Sequence, residues 1–145
     1  MARQSVGALS AGAGSTTLPL MSLYGAAANG GKLREVGIFN TTSVALAVAL
    51  RRLTTAGTQG AGLTEAPHDP AVPPLMTAFN THTGAPTLGA DLGYRAVIGA
   101  VVGAGVIWTM GDNGIIIPVG TGNGIGVIIE NGTGQICQIY FVWDE

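Results

Sequence analysis

Glu65, His68 and Asp69 stand within five residues of one another, and His82 follows in the next stretch. Carboxylates and imidazoles are the oxygen and nitrogen donors from which many metal sites are built. Pro67, Pro70, Pro73 and Pro74 are interleaved with them. Proline at that density excludes a helix or a central strand, so residues 54–74 read as a long loop. Such donors could converge on a trimer axis or between loops, but the plainer reading is favoured. The reading is a polar, proline-rich loop with two ordinary histidines and no metal.

Other candidate chemistry is sparser still. Nucleophilic catalysis needs a serine or cysteine held beside a base. The serines all lie at or before Ser43, and the single cysteine, Cys137, sits in an apolar run and reads as a small buried hydrophobe. The repeat Gly120-x-Gly122-x-Gly124-x-Gly126 is not the dinucleotide spacing, and a strand pattern rather than a helix follows it. Gly30-Gly31-Lys32 lacks the P-loop's earlier glycine, since position 26 is alanine, and Leu33 replaces the Ser/Thr. Tyr94, Trp108, Tyr140, Phe141 and Trp143 could form a sugar-stacking platform, but aromatics on strands serve more often as core or interface. Asn40-Thr41-Thr42 and Asn131-Gly132-Thr133 match the glycosylation sequon and read as turns. The expectation is a protein that is not an enzyme and has no cofactor.

Composition points the same way. The 145 residues include 24 glycines, six basic and eight acidic side chains, so 10% are charged, against about 25% in a typical soluble domain. A free monomer would have to cover its surface with Thr, Asn, Gly and Ala. The simpler expectation is that other protein copies cover much of that surface. Formal net charge is −2 and Lys32 is the only lysine, which excludes phosphate-dominated binding to nucleic acid. The longest apolar stretches, 96–108 and 115–129, are cut by glycine or proline before they reach the roughly 20 residues of a spanning helix. Glycines and serines also break 6–18, so no cleaved leader is expected there. All six cations lie at or before Arg95, together with four acids, and beyond it come four acids and no cation. One copy's basic part could therefore meet another's acidic part.

The elements that would position these residues read as strands. Residues 33–40 and 44–51 alternate at the strand period of two. Pairing Asn40 with Val44 across a short loop puts Val36, Ile38, Val44, Leu46, Val48 and Leu50 on a core face. The opposite face holds Glu35, Gly37, Phe39, Ala45, Ala47 and Ala49, mostly small and apolar where a wetted sheet face is normally polar. Further strands are expected over 75–81, 94–102, 105–110, 115–119, 125–130 and 135–143. Gly111-Asp112-Asn113-Gly114, 120–124 and 131–134 are expected as turns between them. About eight short strands with regular turns predict an all-β, jelly-roll-like sandwich over residues 31–145. Residues 1–30 have no period and no charge between Arg3 and Lys32, which predicts an extended N-terminal arm ordered against a neighbour. Ala45, Ala47, Ala49 and Phe39, with Leu18, Leu20 and Tyr24 from the arm, are the predicted subunit interface.

Four segments carry a resemblance: 35–42 (EVGIFNTT), 49–60 (ALRRLTTAGTQG), 77–83 (TAFNTHT) and 142–145 (VWDE). Across about three quarters of the chain it resembles a group of small, mostly uncharacterised proteins encoded in tailed-phage and environmental phage genomes, many of them regarded as virion components. The resemblance implies a virion structural protein and transfers no catalytic residue. The expected role is a capsid decoration (cement) protein on the capsid exterior. Its partners would be the major capsid protein and copies of itself as a homotrimer, with no nucleic acid and no membrane. Two other roles fit the sequence. One is a tail or fibre component that binds host glycan through loops 54–74 or 84–93. The other is a self-assembling shell or filament subunit.

Overall fold

The computed structural model describes all residues, 1–145, and contains eleven strands and no helix. These are β1 (Arg3–Leu9), β2 (Met21–Tyr24), β3 (Gly31–Asn40), β4 (Leu46–Leu53), β5 (Ala66–Pro67), β6 (Thr77–Phe79), β7 (Leu88–Ile98), β8 (Gly105–Thr109), β9 (Ile115–Ile117), β10 (Gly124–Asn131) and β11 (Cys137–Asp144). One sheet runs β5-β1-β11-β3-β8 with β9 also on β3, and the other runs β6-β2-β10-β4-β7. Every pairing is antiparallel.

The order has a simple origin. β1 pairs β11, β2 pairs β10, β3 pairs β8 and β4 pairs β7. The chain is thus one long hairpin whose successive pairs alternate between the two sheets, which is a jelly roll. The bend of the hairpin is the long connection from Thr54 to Thr87. It returns to lay β5 along β1 and β6 along β2, so it caps one edge of each sheet. The opposite edges, β7 and β8, carry nothing.

Inward residues follow the strand period. On β11, Cys137, Ile139, Phe141 and Trp143 are fully buried while Gln138, Tyr140 and Val142 face outward. They meet Val36 and Ile38 of β3 and Val127 and Ile129 of β10 in one apolar core. Cys137 is buried as expected, and burial pushes its thiol up to about 11.

The sequence expectations need four corrections. Residues 1–30 are not an arm: β1 lies inside one sheet between β11 and β5, and β2 lies inside the other between β10 and β6. The strands over 33–40 and 44–51 exist as β3 and β4, but they lie in different sheets and do not pair; Val44 is 50% exposed at the corner between them. Gly111–Gly114 is not a hairpin turn. β8 and β9 both run along β3, Glu35 to Phe39 with β8 and Gly31 to Leu33 with β9, so this turn is an outward excursion within one edge strand. The turns at 120–124 and 131–134, by contrast, carry the chain from one sheet to the other. Local turn chemistry marks where the chain reverses but not which sheet receives the next strand.

Candidate interaction surface

The residues that first suggested chemistry are engaged separately. The Glu65 carboxylate accepts the Ala78 N–H at 2.7 Å, Asp69 accepts the Ala71 N–H at 3.0 Å, and His68 Nε2 lies 3.3 Å from Ser5 Oγ. No three His, Cys, Asp or Glu side chains converge. His82 is buried, with Nε2 2.8 Å from Ser22 Oγ on β2. Sequence reasoning missed this contact, because two residues 60 positions apart carry no local signal of it. Burial holds the His82 pKa below its ordinary value, with the Gly84 backbone opposing the shift. No acid bonds to its other ring nitrogen, and Ser22 has no exposure at all. The pair therefore ties β2 to the loop after β6 and gives no accessible nucleophile.

Part of the outer face of the β6-β2-β10-β4-β7 sheet is covered by the chain itself, while Val97 on it stays exposed. Arg95 on β7 reaches Glu130 on β10, with β4 between them, and also binds Asp91. Ala49 stands opposite Arg95, and Ala47 opposite Val97 and Asn131. Small side chains at 47 and 49 let the guanidinium cross the strand, which accounts for the alanine stripe without a second subunit. The Gly93 N–H and then Arg95 hold Asp91 below the usual carboxylate range. The charge asymmetry along the sequence closes internally too: Arg3 and Arg34 bind Asp144, Arg34 also binds Asp112, and Arg95 binds Glu130. Basic early strands pair with acidic late ones because the hairpin brings the two ends together.

Of the predicted interface residues, three are internal. Leu20 is fully buried in the core, Tyr24 is 1% exposed with its hydroxyl donating to the Thr55 carbonyl at 3.2 Å, and Ala49 is 2% exposed. They cannot meet another subunit, and the reason is that β2 belongs to the sandwich. Leu18, Ala47 and Phe39 are half-buried and Ala45 is exposed.

The outer face of the β5-β1-β11-β3-β8 sheet is open. Its registered rows read Ser5–Val142–Glu35–Thr109, Gly7–Tyr140–Gly37–Ile107 and Leu9–Gln138–Phe39–Gly105. Glycine at 37 and 105 lets two rings lie down on the sheet. A Cβ at 37 would fall 2.0 Å from Tyr140 Cε1, and one at 105 would fall 2.3 Å from Phe39 Cδ1. The rings stack at 6.5 Å with 21° between planes. Tyr140 Oη donates to Glu35 Oε1 at 2.6 Å, and desolvation together with that carboxylate pushes its pKa up to about 12. Leu9 and Ile107, both about half exposed, flank the rings. Arg3, Arg34, Asp112 and Asp144 gather at one end of this face. Trp108, Phe141 and Trp143, by contrast, are core, and Tyr94 packs on Trp108 at 5.9 Å. A third open region is the bare β7–β8 edge with Val97, Val101 and Val102 exposed beside it.

Comparisons with protein-family models, with curated proteins and with solved structures return no match.

Proposed function

We propose that the chain is a structural component of a phage virion, a capsid decoration protein that sits on the capsid exterior and bridges capsid subunits. One observation carries the reading: aromatic and aliphatic side chains, Leu9, Phe39, Tyr140 and Ile107, left open on a sheet face whose one neighbouring charge, Glu35, is bonded to Tyr140. Contiguous apolar surface of this kind marks a contact with protein or ligand. The resemblance of the sequence to small phage-encoded proteins supplies the context, and the jelly-roll architecture agrees with it only as analogy.

The mechanism is burial. Each copy removes apolar surface from water at about 25 cal/mol per Å² before ordering costs. Many copies on one shell add through multivalency. The test is cosedimentation with purified capsids. The double variant Leu9→Glu, Phe39→Glu places two charges on the open face without touching the core, and it is expected to lose binding while keeping the wild-type melting profile. Binding equal to wild type would reject this face as the contact.

A second reading has its own observation. Two near-parallel rings lying flat beside the Glu35 carboxylate form a stacking surface of the kind that binds a sugar. This favours the Phe39–Tyr140 face over residues 54–74 and 84–93, which contain no Phe, Tyr or Trp and of which 88–93 belong to β7 rather than to a loop. A glycan array with hits lost in Tyr140→Ala, and no capsid binding, would select it.

A further inference from the structure

The long connection covers the β1 and β2 edges, and the β8 edge stays bare. Bare edges are templates for another strand unless charge, proline or a bulge blocks them. The β7 edge is blocked in this way. Its register with β4 shifts twice, and it carries Asp91 and Arg95. Within β8 none of these devices occurs, and the outward excursion at Gly111–Gly114 lies beyond its last residue. Its register with β3 is unbroken, and no charged residue or proline occurs from Ala96 to Gly111.

The hydrogen-bond phase shows what β8 offers. Asn40 N–H donates to Ala104 O at 2.7 Å, and Met110 N–H donates to Arg34 O at 2.9 Å. Antiparallel pairs alternate between bonded and non-bonded positions. Ala104, Val106, Trp108 and Met110 therefore turn their backbone groups toward β3. Gly105, Ile107 and Thr109 turn theirs outward, and all three are exposed. The free edge is an unbroken ladder of N–H and C=O groups.

We infer that β8 pairs antiparallel with β8 of a second copy about a two-fold axis through Ile107. Ile107 then faces its own counterpart, and Gly105 faces Thr109, which closes about six backbone hydrogen bonds. The strand is its own complement because it is uncharged throughout. The antiparallel sense also keeps like charges apart. The charged end of each copy, Arg34 and Asp112, lies beside the uncharged 99–104 loop of the other, where Val101 and Val102 add apolar contact. The result is one sheet continuous through two copies. A five-residue strand pair is smaller than a standard interface of about 1,600 Å², so the dimer is concentration-dependent. The inference rests on the edge and does not depend on the virion reading.

Sedimentation of the full chain from about 1 to about 200 μM, a span that brackets micromolar dissociation constants, tests it without any capsid. The wild type is expected to pass from monomer to dimer. Ile107→Pro removes only an outward N–H, and edge strands tolerate proline there, so this variant is expected to stay monomeric with an unchanged melting profile. Ile107→Cys supplies an independent readout, since Cys137 is buried and does not compete. Paired Cα atoms about 5.5 Å apart lie within disulfide range, so mild oxidation is expected to give a covalent dimer. Ile116→Cys, at an equally exposed site on β9 away from the axis, is expected to give none. A wild type that stays monomeric or forms a trimer, an Ile107→Pro variant that dimerises normally, or equal cross-linking at 107 and 116 would each overturn the inference.

Discussion

At the scale of single residues, the most informative side chains are those that never reach the surface. His82 is neutral in the fold because burial lowers its pKa below 6.5. As pH falls, the unfolded chain takes up the proton first. The stability that depends on a neutral His82 is therefore complete above about pH 6.5 and declines below it. Thermal melts at pH 7.5 and 5.5 are expected to show a fall in the wild type that His82→Gln does not share, while His68→Gln keeps the wild-type fall. Equal slopes in wild type and His82→Gln would remove His82 from the pH response. Gly134 gives a steric test. A Cβ there would lie 1.8 Å from the Ala13 carbonyl oxygen, which is backbone and cannot swing aside. Gly134→Ala is expected to cost about 1–3 kcal/mol in chemical denaturation, and a neutral result would show that residues 11–14 do not pack against the β10–β11 corner. Neither contact is visible in the sequence, because each joins residues far apart in the chain. The burial of Cys137 is visible from its apolar run, whereas the sequence reading groups Phe141 and Trp143 with Tyr140, which the strand turns to the opposite face.

At the scale of elements, strand positions were legible and strand partners were not. β3, β4, β8, β10 and β11 fall within two residues of where alternation places them. β1 and β2 were read as an arm because Gly, Ala and Ser dominate residues 1–30 and dilute a period of two to the point where it no longer shows. Their strand character comes from neighbours: β1 is held by seven registered partners on β11, and Met21 to Tyr24 by four on β10. The consequence is a sharp prediction. Deleting residues 1–30 removes Val6, Leu20, Met21 and Leu23 from the core and leaves β10 and β11 each with an unpaired side. The truncated chain is expected to lose cooperative unfolding and near-UV circular dichroism. A truncated chain that melts cooperatively would restore the detachable arm. The alanine stripe carries the complementary lesson. Its smallness is real, but the side chain that uses the space is Arg95 of the same chain. Composition reports that something passes close by, and the topology identifies it.

At the scale of the whole molecule, the scarcity of charge has two separate causes. Part of it is internal: the long hairpin brings basic early strands against acidic late ones, and Arg3, Arg34 and Arg95 are paired in this way. Exposed ion pairs of this sort contribute at most about 1 kcal/mol each, so they direct the pairing more than they stabilise it. The rest of the scarcity is on the surface, and it is uneven. One sheet face is partly covered by Arg95 and its partners, whereas the other presents Leu9, Phe39, Tyr140 and Ile107 next to an unblocked edge. The proposed virion role and the proposed two-fold pair share Ile107 but are read by different experiments, capsid binding for one and self-association for the other. The central claim is that the open face exists to be covered by capsid protein. Its most direct measurement is saturation binding of the full chain to purified tailed-phage capsids, alongside Leu9→Glu, Phe39→Glu. Saturable binding at a fixed number of copies per capsid, lost in the double variant, is the predicted result. Absence of binding by the wild type at any concentration would contradict it.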